Sequence, residues 1–445
     1  MRSTAGSLSS VLRLIVGTPA TSAVFVVETS TEVLYQGVVT SGSPMIVNVS
    51  TELQVTETDF SNREKGIHIY SNGTKPIFVL VETIFSLNYA TYLAYPCQAV
   101  ESLTSYEYFI ISQDDPLDFF RSTFLLVGAK DNTSVTIVPS QVVTLPVDTQ
   151  ISLSSIVSVN PNTQSHQFTL NKMQTLLVSS VDDLTGTRVT SDKPLTVISG
   201  HECANVPSTV SGCEPLALQV PPAATWGTKF LLAPFAGRNS AQVFKAVTSE
   251  DNTSFIYTCE NTTSVVPVTS ISLQFNTDKY CYLESSKPVL LAQLSVGQTV
   301  DSLGDPAIAM ISPIDQYVHE IEFISLPTAD FPSSYISIAV PAEHFNSFSV
   351  LFDGEVVNCQ WQAIYNESGI TVGYGCSMTV SSGESIPSQH TVSHSNPDGL
   401  LSVLVYGFNT FPYHGYAYLA GQIVFSGELP TDLISMTLSI FSNYS

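Results

Sequence analysis

The chain has 445 residues, 44% of them apolar and only 12% charged, about half the ~25% charged residues of an average soluble protein. Fifteen Lys and Arg against 38 Asp and Glu leave a net charge of −23, a field that repels phosphate backbones and anionic headgroups and so argues against nucleic acid and acidic membrane surfaces as partners. The length exceeds the ~250–300 residues at which a single core stops growing, so two to four domains are expected, and the apolar fraction excludes a disordered chain.

From the N-terminus, the apolar run Val11 to Val16 is interrupted by Arg13, which an export signal's h-region would not tolerate well. No later stretch reaches the ~20 apolar residues of a membrane-spanning helix. Lys75-Pro-Ile-Phe-Val-Leu80 opens a series of strands that begin with Lys-Pro. Proline at a strand's first residue loses no ladder bond, and lysine guards an exposed end. Ala129-Lys-Asp-Asn-Thr-Ser-Val-Thr-Ile137 reads as an Asp-Asn turn feeding a strand, and it recurs as Ser249-Glu-Asp-Asn-Thr-Ser-Phe-Ile-Tyr257. Lys193-Pro-Leu-Thr-Val-Ile198 and Lys287-Pro-Val-Leu-Leu-Ala292 repeat the first signature. Asp398-Gly-Leu-Leu-Ser-Val-Leu-Val405 fills the same slot without Lys-Pro. Other β-branched runs, such as Ser134 to Val138, Leu176 to Ser180, Leu195 to Ser199 and Val289 to Leu294, lie near turn residues, and helical periodicity is almost absent.

These signals predict an all-β chain of tandem antiparallel β-sandwich-like units, with a propeller-like arrangement as the alternative. The units are expected at 1–96 (apparently truncated), 97–220, 221–312 and 313–428. Residues 429–445 read as a tail or the start of a following segment. Met436 to Ser445 stops in what reads as a strand, so a fragment of a longer secreted or surface protein lacking its signal peptide is expected; a leaderless cytosolic protein is the rival reading.

Six of the seven cysteines fall into short-range pairs, Cys203/Cys213, Cys259/Cys281 and Cys359/Cys376, leaving Cys97 free or paired outside the chain. None forms a CxxC or sits in a zinc-like spacing. Disulfides closing loops of this size stabilise by about 3 kcal/mol; unpaired core thiols are the other reading. Sequons start at Asn48, Asn72, Asn132, Asn252, Asn261, Asn366 and Asn443, each weak alone but, with the cysteines, pointing to an oxidising, glycosylating compartment.

A further set of residues runs in order through the chain. Asp183-Leu-Thr-Gly-Thr-Arg-Val189 is followed by Ser191-Asp-Lys-Pro194, Val197-Ile-Ser-Gly-His201, Cys203, Val206-Pro207 and Cys213. Gln219-Val-Pro-Pro222, Trp226-Gly-Thr-Lys-Phe230, Lys287-Pro288, Asp305-Pro306, Val340-Pro341 and Phe352-Asp-Gly354 come next. Tyr406-Gly-Phe408 and Tyr416-Ala-Tyr-Leu-Ala-Gly421 end it. The set resembles the N-terminal domain of the IgGFc-binding protein family over about residues 24–425. That resemblance implies an extracellular, non-catalytic module of mucus-type and cell-surface proteins, often placed beside von Willebrand D-type domains. Against that pattern, a missing leader, an apparently shortened first unit and no cysteine-rich companion module are the departures expected of a fragment.

Three constellations invite a chemical reading. His201-Glu-Cys203 is not HExxH, and it follows a strand. Asp114-Asp-Pro-Leu-Asp118 offers oxygens to calcium but lacks the EF-hand glycine and glutamate. Asp182-Asp183 could form an acid–base pair only if the segment turns, because neighbours on a strand face opposite ways; Arg188 reads as an ion-pair partner. No catalytic, cofactor or metal residue is assigned. The expected function is a binding or structural module recognising an extracellular protein or glycan; a carbohydrate-active or metal-assisted hydrolase is the alternative.

Overall fold

Alternation of apolar and polar residues builds the sheets. In Ser22–Glu28, Ala23, Phe25 and Val27 are buried while Ser22 and Val24 face solvent, and in Thr133–Val138 the same period buries Thr133, Val135 and Ile137. Ser122–Gly128 is buried at every position, as a strand covered on both faces must be. The computed structural model describes residues 10–55, 64–85, 88–96, 105–114, 120–140, 156–160, 165–260, 262–267, 272–381, 383, 385–411, 413–421, 435–438 and 440–441. Almost all regular structure there is strand, the helical parts being the turn Gln298–Asp301 and a few 3-10 turns.

Four antiparallel sheets share one strand order. From outer edge to inner edge, the first runs Met45–Val49, Ser10–Gly17, Phe78–Phe85, Asn88–Ala94. The second runs Thr175–Ser180, Ser122–Gly128, Leu195–Ala204, Glu214–Gln219. The third, one part of a seven-stranded sheet joined through the long strand Cys281–Leu294, runs Ser272–Thr277, Gln242–Thr248, Cys281–Leu294, Ile308–Met310. The fourth runs Thr371–Val380, Ser333–Pro341, Ser402–Phe408, Gly415–Leu419, with Gln362–Tyr365 beyond its outer edge. Each Lys-Pro strand, and the strand that follows Asp398, therefore holds the third place. The run Val11 to Val16 is part of a central strand, with Leu12, Leu14, Ile15 and Val16 fully buried.

Each of these sheets has a companion, which makes the units sandwiches; no closed barrel or propeller forms among the described residues. The companions pair Ser22–Glu28 with Ile67–Ser71, Thr133–Val138 with Arg188–Ser191, Ser254–Cys259 with residues 281–285, and Val350–Phe352 with Ser388–His394. In three companions the next strand comes from just upstream in the chain: Tyr106–Phe109, Gly227–Leu232 and Glu320–Ser325. In the first, that place is taken by Ser435–Leu438 from the opposite end of the chain, antiparallel to Ile67–Ser71.

The inner strands meet. Asn88–Ala94 packs against Glu214–Gln219 and Gly415–Leu419, and Ile308–Met310 packs against the same two, so the contacts close a ring. Leu93, Leu216, Ile308, Met310 and Tyr418 belong to the core shared there, each worth roughly 1.5–3 kcal/mol for full burial. Between the first two inner strands, side chains replace a ladder. The Tyr89 N–H donates to Glu214 Oε1 at 2.8 Å, and Gln219 exchanges two bonds of 2.9 Å with the backbone of Tyr95.

The two sequence signatures also meet. Lys193 Nζ donates to the carbonyls of Asp131 and Asn132 at 2.6 and 2.9 Å, and Lys287 Nζ to that of Asp251 at 2.7 Å. Asn132 and Asn252 sit in the left-handed region, φ 54° and 57°, which asparagine tolerates better than most residues. Thr133 and Thr253 each donate back across the turn at 2.7 Å. Lysine thus ties the turn to the strand, a more specific job than guarding an edge. In the third unit Lys287-Pro288 lies within Cys281–Leu294, where that strand passes from one sheet to the other.

Candidate functional site: a cleft braced by two disulfides

Cysteines of like spacing end up on neighbouring strands or at the two ends of one loop. Cys203 and Cys213 bridge the connection into Glu214–Gln219, with Cα atoms 5.0 Å apart. Cys259 and Cys281 oppose one another directly on paired strands, at 4.2 Å, just under the usual ~4.4–6.8 Å span. Cys359 and Cys376 are joined at 6.2 Å. Cys97 lies outside the described residues.

The second and third bridges share a cleft. The residue after Cys259 is Glu260, the one before Cys281 is Tyr280, the one after Cys359 is Gln360 and the one after Cys376 is Ser377. All four line a cavity of about 560 Å³ between the third and fourth units. Asp278, Lys279, Gln362 and two alanines, Ala236 and Ala363, complete the lining. Two of its lining hydroxyls, those of Tyr280 and Ser377, begin a chain that runs into the core. Tyr280 Oη lies 3.3 Å from Ser377 Oγ, which lies 2.7 Å from Ser337 Oγ. Ser337 Oγ donates to Tyr406 Oη at 3.2 Å, and the Ala236 N–H donates to the same oxygen at 2.7 Å. Burial raises both phenols, against the smaller pull of their serine partners, so they stay neutral. Gly375 permits the packing: a Cβ there would stand 2.6 Å from the Tyr280 ring. At the mouth, Lys279 Nζ is 3.5 Å from Glu260 Oε1, and both are exposed.

The sequence candidates for chemistry are occupied structurally. His201 is buried, and its Nδ1 accepts the Cys203 N–H at 3.2 Å. Asp183 lies in a turn, not on a strand, and meets Lys245 Nζ at 3.0 Å, an ion pair between the second and third units. Burial would raise its carboxyl, but Lys245 and two hydrogen bonds from Thr185 outweigh that and hold it below the usual range. Asp182 is exposed, and Arg188 pairs with Glu107. Of the possible calcium loop, only Asp114 falls among the described residues. No group of three metal-ligating side chains occurs among the described residues, nor any helix long and apolar enough to span a membrane.

One arrangement that no motif announced has the connectivity of a catalytic triad. His390 Nε2 is 3.0 Å from Ser325 Oγ, and His390 Nδ1 is 2.8 Å from Asp353 Oδ2. The nucleophile needs access, and Ser325 has 0% exposure at the end of Glu320–Ser325, in the same sheet as Phe323 and Phe352, which flank the imidazole at 5.3 and 5.2 Å. No carbonyl carbon can approach it. The three residues clamp neighbouring strands.

Of the sequon asparagines, Asn48, Asn72, Asn132 and Asn252 are exposed and Asn366 is half-buried; Asn261 and Asn443 lie outside the described residues. The Asn366 carboxamide oxygen accepts the N–H groups of Ser368 and Ile370, both at 3.0 Å.

Four β-sandwiches, three of them braced by a disulfide, with an open polar cleft between two of them, have the build of a binding or structural module. The chain belongs to the IgGFc-binding family: the family model described as IgGFc binding protein matches residues 90–407, within the span over which the resemblance was read. No curated protein matches the chain.

Proposed function

We propose that the chain is an extracellular recognition module, presenting a rigid surface to a protein or glycan in mucus or at a cell surface. The three bridges within single units carry this reading, because such bonds persist in oxidising compartments and are rare in the cytosol. Exposed sequons, with Asn132 and Asn252 at matched turns, support passage through a glycosylating pathway. The strong negative charge fits partners that are neutral or basic.

The test is secretion from a eukaryotic host followed by alkylation without reductant and peptide mapping with and without glycosidase. The six paired cysteines should resist alkylation and the exposed sequons should carry glycan. Free thiols at two of the three pairs, or bare asparagines throughout, would overturn the extracellular assignment. Immobilised protein should then capture a ligand from panels of extracellular proteins and oligosaccharides.

A further inference from the structure

We propose that the cleft between the third and fourth units binds a short neutral oligosaccharide. This deepens the recognition reading above and rests on it.

The lining selects the ligand class. A site for a protein side chain offers an apolar, desolvated pocket for an aromatic or aliphatic anchor, and here the apolar or aromatic lining residues are Ala236, Ala363 and Tyr280. The rest is carboxylate, carboxamide and hydroxyl. Saccharides present the complementary surface: many hydroxyls, each both donor and acceptor, around small patches of C–H. Asp278 and Glu260 can accept from sugar hydroxyls, while Gln360 and Gln362 can accept and donate together. Tyr280, held half-exposed over Gly375, can offer its ring to the C–H face of a pyranose.

Charge narrows the class further. Glu260 and Asp278 outnumber Lys279, whose ammonium already lies 3.5 Å from Glu260. The lining is therefore net negative within a chain of net charge −23, which disfavours sialylated or sulfated sugars. A volume of about 560 Å³ lies within the range of small-ligand sites and leaves room for more than one ring. Two disulfides fix the four residues next to their cysteines, so little ordering cost remains to be met on binding.

The experiment uses the intact secreted chain on an array of neutral oligosaccharides of galactose, mannose and N-acetylglucosamine, with sialylated and sulfated counterparts. Neutral saccharides should bind, and Gln360→Ala with Gln362→Ala should weaken that binding at least tenfold with an unchanged melting curve. Asp278→Asn should weaken it without altering the fold. Saccharide binding that survives all three substitutions would overturn the proposal, as would a preference for the anionic sugars. A protein ligand lost on these substitutions, with no saccharide bound, would overturn it too but leave the recognition reading intact. Failure to bind any protein or saccharide would remove both.

Discussion

His414 Nδ1 lies 2.9 Å from Glu214 Oε1, joining residues 200 positions apart at the centre of the ring. Burial pushes the Glu214 carboxyl well above its ordinary range, with Asp305 adding to the effect, and pushes the His414 imidazole down. Both directions favour the uncharged forms, so the contact is a hydrogen bond between neutral groups although its geometry satisfies an ion pair. Glu214→Gln preserves the acceptor for the Tyr89 N–H and should change stability by less than about 1 kcal/mol. Glu214→Ala strands that buried donor and should cost about 1–3 kcal/mol. Denaturant unfolding of both variants decides the matter; equal losses would mean that charge, not the hydrogen bond, holds the strands together.

Other buried carboxyls make stability depend on pH. Burial raises Glu82 to about 8, the nearby Arg13 only partly opposing it, and the same cause raises Glu322 to about 7 and Asp305 to about 6. A carboxyl raised on folding binds its proton more tightly in the native state. Its contribution is complete below the unfolded pKa and is lost as pH climbs through the folded one. The melting temperature should therefore fall between about pH 5 and pH 8. Glu82→Gln keeps a partner for the Tyr89 hydroxyl. It should flatten that slope, recovering up to about 4 kcal/mol at the alkaline end and little at pH 5. Melting curves across this range would show an unchanged slope if Glu82 were ionised throughout.

The lysine ties between turn and strand can be cut singly. Lys193→Met and Lys287→Met should each cost about 1 kcal/mol, since the ammonium groups are partly exposed. Asn132→Gly and Asn132→Ala both abolish the sequon, yet only alanine is strained at φ 54° and should lose a further ~1 kcal/mol. Comparing the two by denaturant unfolding separates the carbohydrate's effect from the backbone's. Equal stability would show that the turn relaxes.

Local physics made the strands and their repeats readable. The Asp-Asn turns, the period of two in Thr133–Val138 and the Lys-Pro strand starts each depend on neighbours in sequence. The cysteine spacings were readable too, because each pair closes a loop within one unit. What escaped was the relation between units. Glu260, Tyr280, Gln360 and Ser377 share a cleft only because two sandwiches turn their bridged edges toward each other, and nothing in the intervening hundred or so residues encodes that orientation locally. Ser325, Asp353 and His390 converge within one sheet of the fourth unit, where Ser388–His394 pairs with strands distant from it in sequence. Whether the Asp182-Asp183 segment turns was left open by the sequence, because its path rests on long-range bonds, among them Lys245 to the Ser112 carbonyl at 2.5 Å and to Asp183.

Completion of the first sandwich depends on the strand Ser435–Leu438. Ser435–Leu438 lies against Ile67–Ser71 with Ser435 opposite Tyr70 and Leu438 opposite Ile67. It supplies the first sandwich with the strand that the other units draw from upstream. Truncation after Gly421 would leave the backbone of Ile67–Ser71 unpaired on that side. An unpaired sheet edge loses its ladder bonds and becomes a template for other chains. The truncated protein should therefore melt at a lower temperature and self-associate, with faster hydrogen exchange confined at first to Ser22–Glu28 and Ile67–Ser71. The sandwich containing Cys359 and Cys376 should keep its protection. A synthetic peptide of the 435–441 sequence added to the truncated chain should restore both protection and monomeric behaviour. Uniform exchange across all four sandwiches would mean that the ring unfolds as one unit, and an unchanged melting curve would mean that the strand does not stabilise the first sandwich.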